Sequence, residues 1–553
     1  MRKRAHAAIY FEPEGFSTSG ERLMGRHAAG EGFLRGYVRH SGADPLACAV
    51  RSRAAAKSFA DTCGSLAGRR VAVRWMGLGD HAALARLGTL FVPGPGLATQ
   101  AWRRQRGSAD GYSLCGVTHT ISSGRAMDGI ADLLLAPLAP WDAVICTSRA
   151  VLDATRRLLD GTEHYLRERF DARRLLRPTL ALIPLGVDCD ALASDPAARL
   201  AWRSRLGIGA DDAVVLFVGR LSFHAKANPF AMYRALEAAA GHVPRRLHLI
   251  QAGWFSNAAI EREFREGARA ICPSVNAIFL DGRQPDVRAG IWHAADLFTS
   301  LSDNIQETFG LTPVEAMAAG LPGVISDWNG YRDTVRDGQD GFRIGTLMPP
   351  PPAGELLARR HADGVDTYDH YIGLASLSVA VDIPACADAY ARLAADPALR
   401  RSMGESARQR ARAEFDWSVI VRRYQALWAE LGEARAAGGA VLPAAPGDPR
   451  RPDPFRLFGS YPTRILAEGD RVALAPGATA ASAARLRTSP LGAFGVQSLA
   501  SGEVTARILE TVAASGSSTV AELLHLGEPG EAAAAVLRTI VWLCKVDLLR
   551  VAG

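Results

Sequence analysis

DDAVVLFVGR, residues 211–220, opens a pattern that the chain has already run through once. Two acids precede a six-residue apolar run, and a glycine ends it. A short continuous apolar run bounded by turn residues reads as a strand buried on both faces, the kind that parallel sheets use. Beyond it, RLHLIQAG, VNAIFLDG, AADLFTSLS and GVISD are further candidate strands. Helical segments such as PFAMYRALEAAAG and NAAIEREFREGARAI separate several of them. Strands alternating with helices predict a parallel sheet wrapped on both faces.

The first half of the chain carries the same alternation. AHAAIYF (5–11), RRVAVRWMG, GTLFVPG, YSLCGVTH and WDAVICTS are short apolar runs, with helix-like RAVLDATRRLLD among the segments between them. The reading is therefore two doubly wound, Rossmann-like units in series, 1–192 and 193–432, facing a cleft. LIPLGVDCDAL (182–192) joins them. The proline-started stretch 347–383 breaks the pattern and reads as an inserted excursion. Residues 433–455 include AAGGAVLPAAPGDPRRPDP, an Ala/Gly/Pro-rich linker composition. The last segment, 456–553, offers three short helices and a strand and is expected to be a small, winged-helix-like accessory domain.

Bulk properties narrow the function classes. A chain of 553 residues is too long for one ordinary domain. With 48% hydrophobic and 22% charged residues it has a globular composition. A net charge of +7 suits an anionic small molecule, an anionic membrane surface or nucleic acid, and selects none of them. Eight scattered cysteines without a C-x-x-C pair argue against structural zinc or a disulfide framework and fit a reducing cytoplasm. The apolar stretch after MRKR stops at Glu12, too short for a signal peptide. No run of about 18 apolar residues exists, so membrane contact is expected to be at most peripheral, at the inner face.

Chemistry is expected where strands end. In NIQETFGLTPVEAMAAGLP (304–322), Glu307 lies on a strand-to-helix loop and Thr312, Pro313 and Glu315 read as N-cap, N1 and N3 of a short helix. The amides of Gly310, Leu311 and Thr312 would face an anion at that helix start. Thr-x-x-Glu is also a capping box, in which Glu315 satisfies only the N-cap amide. The local pattern leaves both roles for Glu315 open. In VLFVGRLSFHAKANP (215–229), Arg220 and Lys226 follow the strand end. A guanidinium and a compact ammonium there suit a diphosphate. Two exposed basic residues among the chain's 64 would read the same way. His119, in GVTHTISSGR (116–125), ends an apolar run of the first unit. It could donate to a substrate hydroxyl, or simply pack beside the core.

Together these segments resemble the retaining glycosyltransferases of family 4, which have the GT-B fold. The resemblance rests on IPLGVD (183–188), GRLSFHAK (219–226) and ETFGLTPVEAMAAGLP (307–322), in that order and spacing. It spans roughly residues 1–432. It implies transfer of a sugar, of hexosyl type, from a nucleoside-diphosphate sugar to a hydroxyl acceptor, in polysaccharide or glycoconjugate synthesis. Arg220 and Lys226 match the residues that hold the donor diphosphate. Glu307 matches the glutamate contacting the transferred sugar, and Glu315 the one binding the ribose. His119 looks like the first-domain histidine facing the sugar. Gly20, in STSG, lies on the loop expected to close over the phosphates, where the family often has a Gly-Gly pair. The helix SVIVRRYQALWAEL (418–431) resembles the one that crosses back to the first domain. Retention in that family is explained by front-face attack, with the leaving phosphate helping deprotonate the acceptor.

Neither a metal nor another cofactor is implied. DCD (188–190) imitates a D-x-D metal motif but sits in the interdomain connection. The acceptor, whether sugar, lipid-linked or protein, is not named by the sequence. A nicotinamide-dependent enzyme would need G-x-G-x-x-G after the first strand, and 11–25 has none. A GT-B epimerase or phosphorylase shares the fold but not the motif spacing. A regulatory protein working through the winged helix is a further alternative. The single arginine of TVAELLHLGEPGEAAAAVLRTIVW argues against nucleic acid. A protein partner is the expectation for 456–553.

Overall fold

The computed structural model describes residues 5–16, 25–438, 447–527 and 533–551. Gly20 lies outside the described residues. The chain divides into two compact units, Met1–Asp448 and Pro449–Gly553.

The larger unit contains two parallel sheets. The first holds β1 (Ala8–Tyr10), β2 (Leu46–Val50), β3 (Val73–Gly77), β4 (Thr89–Val92), β5 (Ser113–Val117), β6 (Ala143–Cys146) and β7 (Thr179–Leu182), in the order β3-β2-β1-β4-β5-β6-β7. The second holds β8 (Ala213–Val218), β9 (Leu247–Gly253), β10 (Asn276–Asp281), β11 (Leu297–Ser300), β12 (Gly323–Ser326) and β13 (Gly341–Ile344), in the order β10-β9-β8-β11-β12-β13. β8 begins at Ala213, and five of its six residues are buried, as an apolar run covered on both faces requires. In register, Leu297 of β11 sits beside Val215 of β8. Each sheet reverses its strand order at one place, between β1 and β4 and between β8 and β11. Such switch points open a crevice at the carboxyl ends of the strands, where ligands bind. Two Rossmann-like units in one body make this a GT-B architecture.

Several helices are needed below. They are α1 (Gly25–His40), α2 (Arg149–Phe170), α3 (Pro229–Ala240), α4 (Leu311–Ala318), α5 (Glu355–Ala362), α6 (Tyr368–Leu377) and α7 (Trp417–Ala437). α7 follows Phe415, which packs in the core of the second sheet, and from Trp417 onward it packs on the first. Its buried Ile420, Tyr424, Leu427, Trp428 and Leu431 recur at helical spacing. Tyr424 and Trp428 meet Phe91, and Phe33 meets both Trp417 and Tyr424. Gln425 donates to Ser41 O at 2.8 Å, and Arg435 to Gly88 O at 2.6 Å. The helix continues through Glu433–Ala437, five residues into the stretch whose composition reads as linker.

IPLGVD sits where the chain passes between the two sheets. Val187 exchanges backbone hydrogen bonds with the 415–417 segment, at 2.9 Å to Phe415 O and 3.1 Å from Trp417 N. A Cβ on Gly186 would lie 2.5 Å from the Trp417 ring. That close approach is why glycine is needed there. The D-x-D look-alike is engaged in ion pairs, Asp188 with Arg39 at 2.6 Å and Asp190 with Arg412 at 2.8 Å.

The excursion is more structured than its proline-rich start suggests. β14 (Thr346–Leu347) and β15 (Ala380–Val381) pair antiparallel at its base, and α5 and α6 lie between them. Ile372 of α6 is fully buried, so this segment joins the body of the unit.

The smaller unit has its own apolar core, built on Val472, Val504, Ile508, Val520, Leu523, Val536 and Ile540. Its strands β16 (Arg471–Leu474), β17 (Ser518–Thr519) and β18 (Leu549–Val551) form an antiparallel sheet in the order β17-β16-β18. The sequence reading named only the final strand of this unit; its partner β16 precedes the helices, some 75 residues earlier, and nearest-neighbour pattern gives no sign of that pairing.

Candidate functional site

Arg220 and Lys226 follow β8, and Glu307 follows β11. The two loops are neighbours because β8 and β11 pair, so the three residues meet at the switch point of the second sheet. Lys226 Nζ forms an ion pair with Glu307 Oε2, with side chains 21% and 15% exposed. Burial alone would raise the Glu307 pKa. The Lys226 charge and hydrogen bond, and the amides of Thr308 and Phe309, overcome it and hold the carboxyl below its ordinary value. Burial would lower Lys226, and the Glu307 charge lifts it above the ordinary lysine value instead.

Arg220 is anchored through one nitrogen. Its Nη2 donates to Ala225 O and to Gln306 Oε1, each at 2.8 Å. Nε and Nη1 make no hydrogen bond among the described residues, which leaves donors for a ligand. Burial pulls this guanidinium somewhat below its ordinary value, opposed by the charge of Asp369. A guanidinium with an ordinary value above 12 stays cationic under such a shift.

The helix start differs from the sequence reading. The N-cap of α4 is Gly310, with φ 101°, and no side-chain cap is present. Thr312, Pro313 and Glu315 are therefore N2, N3 and N5, not N-cap, N1 and N3. The capping box does not form. Proline is tolerated at N3 because amides of the first turn have no intrahelical partner anyway. A Cβ on Gly310 would lie 2.5 Å from the Tyr331 ring, and the positive φ excludes most L side chains independently. Tyr331 is itself fixed by Ser300, hydroxyl to hydroxyl at 2.8 Å. The amides of Leu311 and Thr312 open the helix beside these cations, where the helix dipole favours an anion.

Glu315 is partly buried in the second turn, and its carboxyl makes no hydrogen bond or ion pair among the described residues. Burial raises its pKa to about 7, with Lys226 and Arg288 opposing. An uncapped carboxyl near a cationic pair is in place to accept from a ligand hydroxyl. Asp303 is a second buried carboxyl, pushed up to about 7 by burial against a hydrogen bond from the Asn228 amide. That amide lies 3.3 Å from Asp303 Oδ2, at the cap of α3.

The first unit approaches the same loops. Ser148 caps α2, accepting from the Val151 amide at 3.2 Å, and its hydroxyl also donates to Thr308 O at 2.7 Å. Arg149 clamps Asp333 through its backbone amide, at 2.6 Å, and its guanidinium, at 2.7 Å. His119 is partly buried in the loop just past β5. Ser122, on the same loop, lies 2.8 Å from the Tyr368 hydroxyl of the excursion. Sequence reasoning missed Gln306, Ser148, Ser122 and Tyr368. Gln306 and Ser122 lay inside quoted stretches. None of the four has a local signal for its role, because the partners are 62 to 246 residues away.

Residues 198–360 match the family described as "Glycosyl transferases group 1". The chain is 30% identical over 223 residues to a D-inositol 3-phosphate glycosyltransferase of Mycolicibacterium vanbaalenii, covering 38% of this chain and 47% of that one. It is 32% identical over 215 residues to the protein of that name from Geodermatophilus obscurus, covering 38% and 44%. The chain thus spans about half the length of these curated relatives. An Anabaena protein, HepE, solved in complex with UDP, has 16% identity and a TM-score of 0.48, covering 77% of this chain and all of that one. The second Rossmann-like unit, which carries Arg220, Lys226, Glu307 and Glu315, is thus similar to glycosyltransferases.

Proposed function

We propose that this chain is a retaining glycosyltransferase that moves a sugar from a nucleoside-diphosphate sugar to a hydroxyl acceptor. The observation that carries the reading is the meeting of Arg220, Lys226 and Glu307 at the switch point of the second sheet, within the segment similar to glycosyl transferases of group 1. The roles follow from the chemistry each group can perform. The diphosphate lies against Arg220 Nη1 and Nε and the amides at the start of α4. Lys226 exchanges the Glu307 carboxylate for a phosphate oxygen. Its charge is then used on the leaving group, and Glu307 is released toward the sugar. As the glycosidic bond breaks, negative charge grows on the diphosphate, where two cations and oriented amides stabilise it. Glu315 accepts from the ribose hydroxyls. His119 faces the sugar from the first unit. Charge neutralisation is assigned to these groups and to no metal.

The two glutamates are not a nucleophile and acid pair of the kind used by retaining glycosidases. Glu307 is held by an ammonium and Glu315 carries a raised pKa. Neither arrangement points to a covalent sugar intermediate. The excursion and the first unit are the proposed acceptor side.

A thermal-shift screen against a panel of nucleoside-diphosphate sugars tests the donor reading, since a bound donor raises the melting temperature. Transfer is then followed with the donor so found, with D-inositol 3-phosphate and simple glycosides as acceptors. Lys226→Ala and Glu307→Ala should each abolish turnover. Wild-type turnover in purified Glu307→Ala would defeat the site assignment. Conversion of the donor without any acceptor, into an epimer, would replace transfer by epimerisation.

A further inference from the structure

Tyr368 opens α6, the second helix of the excursion. Thr367 caps that helix, its hydroxyl accepting from the His370 amide at 3.3 Å. The Tyr368 hydroxyl lies 2.8 Å from Ser122 Oγ and accepts from Gln306 Nε2 at 3.3 Å. Ser122 belongs to the loop after β5 in the first sheet. Gln306 belongs to the loop after β11 in the second, and its Oε1 accepts from Arg220 Nη2 at 2.8 Å. Four side chains therefore run in line from the first Rossmann-like unit, through the excursion, to the arginine at the switch point.

The excursion is seated on these loops at other points too. Asn304, buried, donates through Nδ2 to His224 O at 2.8 Å and to Ile372 O at 3.4 Å. A Cβ on Gly373 would lie 3.1 Å from His224 Cβ, so α6 packs closely on the loop between Arg220 and Lys226. α6 thus braces both loops that carry the cations and Glu307. Of its contacts among the described residues, the Tyr368 hydroxyl alone reaches across to the first Rossmann-like unit and to the holder of Arg220 at once.

We infer that Tyr368 is a positioning residue: its hydroxyl ties the β5 loop of the first unit to Gln306, and through Gln306 it sets Arg220 toward a diphosphate. The inference rests on the donor-site reading of Arg220 and Lys226. It assigns the excursion a role in readying that site when the two sheets come together. A hydroxyl that only filled the gap between loops would contribute to stability and leave phosphate affinity alone.

Inorganic pyrophosphate, titrated calorimetrically into the full chain, is the probe. Tyr368→Phe removes one oxygen and should weaken pyrophosphate binding about 3- to 10-fold, the range of one lost hydrogen bond, with an unchanged melting temperature. Ser122→Ala should weaken it in the same direction. The double variant should bind no more weakly than Tyr368→Phe, because both substitutions cut the same line. Unchanged affinity in Tyr368→Phe, or effects that multiply in the double variant, would overturn the inference alone. A melting temperature that falls in step with affinity would also overturn it, in favour of a structural role. If the wild-type chain bound pyrophosphate no better than Lys226→Ala, the donor-site reading would fail and take this inference with it.

Discussion

Glu307→Gln leaves the Lys226 ammonium in place and removes its counter-charge at nearly constant volume. Lys226 is 21% exposed and Glu307 15%, so little water can replace the lost partner. Breaking a buried pair by removing one member costs about 3–5 kcal/mol. Residual solvent access lowers the expectation here to about 2–4 kcal/mol. Lys226→Met should cost a similar amount, by stranding the carboxylate. Removing both charges in Glu307→Gln/Lys226→Met leaves no uncompensated ion, so the double variant should lose less than the sum, with a coupling of about 1.5–3 kcal/mol. The urea slope is about 1–3 kcal/mol per molar for small proteins and grows with the surface exposed on unfolding, so in this larger unit each single variant should lower the unfolding midpoint by about 1 M or less. Tryptophan fluorescence follows the transition. The pH range is set by the directions of the two shifts. Glu307 is held low, so its contribution is present above its ordinary value and is lost as pH falls through the lowered one. Lys226 is held high, so its contribution is lost only as pH rises through the raised value. Glu307 and Lys226 both stay charged between about pH 5 and pH 10, so within that range the penalty should change only as Glu315, which senses the Lys226 charge, ionises near 7. Additive losses in the double variant would refute the claim that these charges hold each other, and with it the proposed exchange of Glu307 for phosphate on Lys226.

Two further predictions concern the same loop. Glu315 titrates near 7 because burial disfavours its charged form, so the folded chain holds a proton there that the unfolded chain releases from about pH 4.3 upward. That stability is present below the unfolded value and is lost as pH rises to about 7, while donor affinity should improve from pH 6 to 8 as the carboxylate forms. Glu315→Gln should remove the affinity step and reduce the stability slope, leaving the part due to Asp303; a pH series of melting temperature and donor KM reads both, and an affinity step that survived the substitution would exclude Glu315 as its source. Gly310→Ala combines a positive φ with a Cβ 2.5 Å from the edge of the Tyr331 ring. It should cost about 2–4 kcal/mol in denaturant unfolding and depress donor binding, whereas a near-neutral result would mean that the α4 start can re-form elsewhere.

The second sheet was legible from DDAVVLFVGR and its successors, since a strand covered on both faces must be apolar throughout and its helices must alternate with it. The motif residues Arg220, Lys226 and Glu307 were legible as candidates because strand ends of open parallel sheets face the crevice. Their meeting was not, since it depends on β8 and β11 pairing across intervening strands. The assignment of Glu315 was open in the sequence because Thr-x-x-Glu satisfies a local hydrogen-bonding rule. Three-dimensional packing decided it: Tyr331 sits beneath Gly310, the helix starts there, and Glu315 moves into the second turn, beyond reach of the N-cap amide. IPLGVD was recognisable as a connection, but the reason for its glycine lies in the Trp417 ring, more than two hundred residues away. Tyr368 carries the least local signal of all. Local sequence determines periodicity, turns and the kind of group at each strand end, because those follow from nearest neighbours along the chain. Which of those groups touch is determined by strand order and by the seating of the excursion, and both are properties of the packed chain.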